Sequence, residues 1–161
     1  MKEYEKLTQA DRALNRIVPI PKQAELLEGA PLKKASSFTI TAPEAEFGPV
    51  KTAGARIRAL LDGTQGDKVT VTLSLAEPEA PLNKEGYRLT VTADSVTIIG
   101  YGENGLLYGV ITLEQMFAGA AQIPAVQITD WPENPIRGFK EESRYGSSDL
   151  FSNQSTLGKQ S

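Results

Sequence analysis

The sequence predicts an α+β fold, a mixed or antiparallel β-sheet covered by two α-helices on one face. Three observations predict it. Polar and apolar residues alternate in Ser37-Phe38-Thr39-Ile40-Thr41 and in Lys68-Val69-Thr70-Val71-Thr72-Leu73, the period-two pattern of half-buried strands. Two longer segments, residues 49–61 and 106–117, repeat their apolar positions every three to four residues, as amphipathic helices do. The segments also follow one another as strands, helix, strand, hairpin, helix and strand, an order that suits two helices packed on one side of a sheet.

Taken in order, residues 1–18 are charged and weakly patterned, with Leu7, Leu14, Ile17 and Val18 as branched aliphatic residues, and read as a short helix or a frayed lead-in. Pro19 and Pro21 bracket Ile20 in a stiff extended start, and Ala24-Glu25-Leu26-Leu27 followed by Gly29 reads as a short strand ending in a turn. In the first helix Val50, Ala53, Ile57, Leu60 and Leu61 share a face, and Asp62-Gly63 is the expected C-cap. The next strand turns Val69, Val71 and Leu73 to the core.

A Pro-rich loop at 78–82 precedes two more strands, 87–92 and 96–99, and the short polar break Ala93-Asp94-Ser95 makes them an antiparallel hairpin. Gly100-Tyr101-Gly102-Glu103-Asn104-Gly105 reads as a loop. Beyond it Leu106, Val110, Leu113 and Phe117 share a helical face, broadened by Leu107 and Ile111, so this second helix should be mostly buried. Val126-Gln127-Ile128 forms a brief strand before Asp130-Trp131-Pro132, residues 136–139 start another, and the Ser-, Gln-, Asn- and Gly-rich stretch 146–161 reads as a tail.

Composition narrows the function. A length of 161 residues suits one domain with its own core, and 40% hydrophobic with 23% charged residues is ordinary for a globular chain. Seventeen Lys and Arg against twenty Asp and Glu give a net charge of −3 without a basic stripe, which argues against nucleic acid. No window approaches the roughly 20 apolar residues of a membrane helix, and Met1-Lys2-Glu3-Tyr4-Glu5-Lys6 lacks the apolar core of a signal peptide. The compartment expected is the periplasm or exterior after removal of a signal, with the cytoplasm as the other option. The chain has no His and no Cys, so most nucleophile–base dyads and transition-metal sites are excluded; no metal and no cofactor are expected.

The stretch Glu85-Gly86-Tyr87-Arg88-Leu89-Thr90-Val91-Thr92, then Val96-Thr97-Ile98-Ile99-Gly100, then residues 105–116 from Gly105-Leu106-Leu107-Tyr108-Gly109 to Leu113-Glu114-Gln115-Met116, resembles in order and spacing the domain preceding the barrel in family 20 β-N-acetylhexosaminidases. Ile128-Thr129-Asp130-Trp131-Pro132 and Arg137-Gly138 resemble that family's linker and the start of its first barrel strand. The resemblance covers residues 20–140. It implies a sheet covered by two helices, likened in topology to zinc proteases, that packs beside a catalytic barrel. A zinc protease itself is excluded, because no His-Glu-x-x-His helix exists here. The residues themselves suggest packing roles for Gly86, Tyr87, Gly105, Tyr108, Gly109 and Gln115, with Gly109 beside the Tyr108 ring permitting close approach of helix and sheet.

In the resembling enzymes a Glu protonates the leaving oxygen and an Asp orients the substrate's acetamido group, and both would lie beyond Ser161. Arg137 matches the family's sugar-binding arginine at the first barrel strand. After it the chain departs from the family 20 pattern and is similar to the first strand of family 84 N-acetylglucosaminidases, where Glu141, Tyr145 and Gly146 match; α-glucuronidases carry a related leading domain as well. The candidate substrate-binding residues are therefore Arg137, Glu141 and Tyr145, with no catalytic residue within the chain. Glu141 and Glu142 would point to opposite faces of a strand, and Asp130 and Glu133 read as solvated or turn-forming. Residues 100–105 lack the Gly-Lys-Ser/Thr ending of a phosphate loop.

These readings divide the chain into a polar lead-in (1–18), an α/β accessory domain (19–135) and a remnant of the first barrel strand with a polar tail (136–161). The expected function is a non-catalytic accessory domain whose partner, the catalytic barrel, is absent from this chain. The alternatives are a free-standing carbohydrate-binding module, with Tyr87, Tyr101, Tyr108 and above all Trp131 as stacking candidates for an oligosaccharide, and a protein-interaction module. Neither nucleic acid nor membrane is an expected partner.

Overall fold

Which face each strand buries follows from its alternation, and a computed structural model, which describes residues 9–133, shows the outcome. Lys68–Leu75 (β4) buries Val69, Val71 and Leu73; Tyr87–Val91 (β5) buries Tyr87, Leu89 and Val91; Ser95–Gly100 (β6) buries Val96 and Ile98. Registered pairing puts these side chains on one face, with Val71 beside Val96, Leu73 beside Ile98, and Leu89 between Ile98 and Ile128. The sheet is completed by Gln23–Leu26 (β1), Ser37–Thr41 (β3) and Val126–Asp130 (β8), in the order β1-β8-β5-β6-β4-β3. Strands β3, β4 and β6 run parallel, while β6, β5, β8 and β1 alternate in direction, so the sheet is mixed.

Gly48–Leu60 (α2) and Glu103–Phe117 (α3) lie together on the apolar face, α3 across β4, β5 and β6 and α2 alongside it. Val50, Ala53 and Ile57 of α2 join the same core as Leu106, Val110, Leu113, Met116 and Phe117 of α3. The two helices are bolted at the surface by Arg56, whose Nε and Nη2 donate to the two carboxylate oxygens of Glu114 at 2.9 and 2.6 Å. This geometry raises the Arg56 pKa, through the hydrogen bond to Glu114 and then its charge. The α+β architecture predicted from periodicity is therefore the one observed.

Two local expectations are corrected. The first helix is not capped by Gly63 in a left-handed conformation: Gly63 is absent from the positive-φ glycines, and Leu61 N–H closes the last turn on Ile57 O. Gly63 instead accepts from Phe38 N–H at 3.0 Å, and a side chain there would strike the carbonyl of Ser36. The supposed loop 100–105 shrinks to Tyr101 and Gly102, because β6 runs through Gly100 and α3 begins at Glu103. Gly105 thus lies in the first turn of α3, where a Cβ would collide with Gly86 O, so the glycine has the packing role read for it.

Two further elements escaped periodicity altogether. Leu32–Lys33 (β2) and Gln122–Ile123 (β7) form a two-residue antiparallel ribbon whose Leu32 and Ile123 are fully buried. The short helix Gln9–Leu14 (α1) packs on α3 and β7, and Ala13 and Ile17 join the core, so the end of the charged lead-in is part of the packed body. The hairpin turn is held as its sequence suggests, with Thr92 Oγ1 2.8 Å from Asp94 Oδ1 and Thr92 N–H donating to Ser95 O. Among the described residues no helix is long and apolar enough to cross a membrane.

Candidate docking site where the chain leaves the fold

Strand β8 ends at Asp130, and the segment beyond it meets the segment that precedes β1. Antiparallel pairing of β1 with β8 forces this meeting, since Gln23 lies opposite Thr129. Lys22 is its centre. Its N–H donates to Asp130 Oδ1 at 3.1 Å, its ammonium lies 3.0 Å from Glu133 and 4.8 Å from the centroid of the Trp131 ring. Asp130 and Glu133, read from sequence as solvated or turn-forming, both serve Lys22, and one face of Trp131 carries a cation.

Farther back the same segment is tied to the C-terminal half of α3. Gln115 accepts from Val18 N–H through Oε1 and donates through Nε2 to Val18 O, each at 3.2 Å, and Arg16 donates to Met116 O at the same distance. Residues 16–22 so form a strap over the helix, and it holds Val18 71% and Ile20 86% exposed. Between strap, helix and exit lies a cleft of about 440 Å³, walled by Ile17, Tyr108, Ile111, Trp131 and Pro132 and floored by Tyr87 and Thr112. Its rim carries Glu85, Asp130 and Glu133.

The floor is polar but closed. Tyr87 Oη and Thr112 Oγ1 lie 2.6 Å apart, both buried, and each satisfies the other. Burial pushes the Tyr87 phenol up to about 12; the bond to Thr112 lowers it, and the charge of Asp130, directly opposite across the β5–β8 pair, adds to the rise. Such a phenol neither gives nor takes a proton near neutral pH. Exposed aliphatic side chains beside a concave apolar wall are the features of a packing surface. Among the described residues no cluster of three or more potential metal ligands occurs.

Comparison with known proteins fits this geometry. The family model "Glycosyl hydrolase family 20, domain 2" matches residues 15–131. The chain belongs to that family. It is 41% identical over 70 residues to a beta-hexosaminidase of Akkermansia muciniphila and 36% identical over 74 residues to a putative beta-hexosaminidase of Margaritifera margaritifera. These matches cover 40% and 46% of this chain but only 14% and 6% of the two relatives, so the chain spans a small part of their length. A solved glycoside hydrolase family 20 β-N-acetylglucosaminidase superposes with TM-score 0.56 at 33% identity, covering 76% of this chain and 23% of that one. The family 20 β-N-acetylhexosaminidase of Streptomyces coelicolor gives 0.55 at 25%, covering 76% and 27%. CpGH84D, at 14% identity and TM-score 0.60 over 76% of this chain and 25% of that one, shares the fold.

The family 20 domain 2 match ends at Trp131, beside Pro132 and Glu133 of the cleft. The substrate-binding candidates Arg137, Glu141 and Tyr145 lie outside the described residues, as does the strand expected at 136–139. Of the four stacking candidates, Tyr87 and Tyr101 are buried, whereas Tyr108 and Trp131 are half-buried on the cleft wall. Gln115, assigned to packing, turns out to hold the strap, and Arg16, Val18, Ile20 and Lys22 had no assigned role. The one sequence signal for them was Val18-Pro19-Ile20-Pro21, aliphatic residues alternating with prolines, which keeps such side chains out of a helix or ladder.

Proposed function

We propose that this chain is a non-catalytic accessory domain of a carbohydrate-degrading glycoside hydrolase of β-N-acetylhexosaminidase type, and that it packs against and supports a (β/α)8 catalytic barrel absent from the chain. The observation that carries this reading is the cleft with its exposed Val18 and Ile20, lying where the chain runs on past Glu133 toward whatever follows. Membership in family 20 domain 2 and the small share of each relative that the chain spans support it. Within this reading residues 136–161 are the remnant of the first barrel strand with a polar tail, and Arg137, Glu141 and Tyr145 meet the sugar only once that barrel is complete.

The test compares this chain with the complete encoded polypeptide on 4-nitrophenyl N-acetyl-β-D-glucosaminide. The chain alone releases no nitrophenol and the complete polypeptide does; turnover by the 161 residues alone overturns the reading. Titration with chitobiose should leave Trp131 fluorescence unchanged, because Lys22 already lies over the ring. A saturable change would favour a sugar-binding module instead.

A further inference from the structure

We propose that Gln115 is a positioning residue that presets the contact this domain offers to the next domain of its own polypeptide: by holding both backbone groups of Val18 it fixes the strap 16–22, and with it Val18 and Ile20, in a docked-ready form. This rests on the accessory-domain reading and adds which surface docks and what shapes it.

The backbone of Val18 lies outside the sheet, so its N–H and C=O have no ladder partner. A glutamine amide carries both N–H donors and a carbonyl acceptor, and Gln115 presents one of each to Val18 across 97 residues of sequence. Arg16 on Met116 O anchors the strap on one side of this clamp, and Lys22 on Asp130 and Glu133 anchors the other. Without the clamp, the four residues 18–21 would hang between the buried Ile17 and the anchored Lys22. A strap free to move would lose entropy on docking, whereas a fixed one has lost it already; pre-ordering therefore strengthens the contact without adding to it.

The occupant follows from continuity. Glu133, the last described residue, lines the cleft, and 28 residues of this chain follow it. The domain connected through them is thus held at high local concentration beside Val18 and Ile20, and a modest apolar surface suffices for lasting contact.

The experiment uses the complete polypeptide and limited trypsin digestion, reading the cut after Lys22. Gln115→Ala should be cut roughly tenfold faster than wild type, with Gln115→Glu, which keeps the acceptor and loses the donor, in between. The Val18→Ser/Ile20→Ser double variant keeps the clamp, and should replace one thermal transition of the two domains by two. An unchanged cutting rate in Gln115→Ala refutes the clamp. Faster cutting with the single transition retained in both variants refutes the docking role and leaves Gln115 as a support of the strap alone. If the complete polypeptide carries no barrel, the accessory-domain reading falls, while the digestion still reads the clamp.

Discussion

Tyr87 and Thr112, 25 residues apart and on different elements, share one short hydrogen bond at the floor of the cleft, with Oη and Oγ1 2.6 Å apart and both side chains buried. The bond joins β5 to the middle of α3, so the face that α3 presents to the strap is fixed by the sheet beneath it. Tyr87→Phe would strand the Thr112 hydroxyl without a partner, at a cost of about 1–3 kcal/mol. Thr112→Val alone should cost a similar amount, and the two together less than their sum, because the double variant leaves neither group unpaired. Urea unfolding of the four proteins in the cycle reads this directly.

Gly109 lets α3 pack closely on the sheet. A Cβ there would lie 2.6 Å from Ile98 Cγ2 and 3.2 Å from the Tyr87 ring. On an exposed helix Gly→Ala gains about 1 kcal/mol, but here overpacking, at about 1–3 kcal/mol, should win. Gly109→Ala is therefore expected to lower the unfolding midpoint, and less so in an Ile98→Ala background, where the obstructing methyl is gone.

How much of this could be read beforehand depended on the range of the forces involved. Strand β4 and the two long helices were legible because burial of Val69, Val71 and Leu73, or of Leu106, Val110 and Leu113, writes a local period into the sequence. β2 and β7 are two residues each, too short for any period, and exist because Leu32 and Ile123 close the core from distant positions. The start of α3 was misplaced because three glycines read as a loop, when all three answer close contacts, Gly100 with Leu106, Gly102 with Lys84 and Gly105 with Gly86. The cleft was hidden for the same reason: Val18 with Gln115, and Lys22 with Asp130, Trp131 and Glu133, are pairs about a hundred residues apart that no local pattern announces.

Lys22 ties strap and exit together, yet its effect on stability should be small. Its partner Glu133 is 82% exposed, and exposed ion pairs contribute about 0–1 kcal/mol, less at high salt. Lys22→Met keeps the aliphatic stem and the backbone donor to Asp130 while removing the charge. The expected outcome is a stability change within about 1 kcal/mol together with altered emission from Trp131, the only tryptophan in the chain.

The raised phenol of Tyr87 makes a signed prediction about pH. Below about 10, the ordinary tyrosine value, folded and unfolded chains both hold the proton and the contribution is complete. As pH climbs, the unfolded chain ionises while the folded one, held to about 12 chiefly by burial, does not; stability therefore falls across that interval. Two substitutions separate the causes. Asp130→Asn removes the charge opposite Tyr87 but keeps an acceptor for Lys22 N–H, so the phenol should ionise at lower pH and the loss of stability should narrow. Thr112→Val removes the bond that lowers the value, so Tyr87 should ionise later still. Absorbance at the phenolate band follows the ionisation of Tyr87 at about 12, and Tyr87→Phe should abolish that step along with its share of the alkaline destabilisation. A step that survives Tyr87→Phe would show that the phenol beneath the cleft is not the group being held.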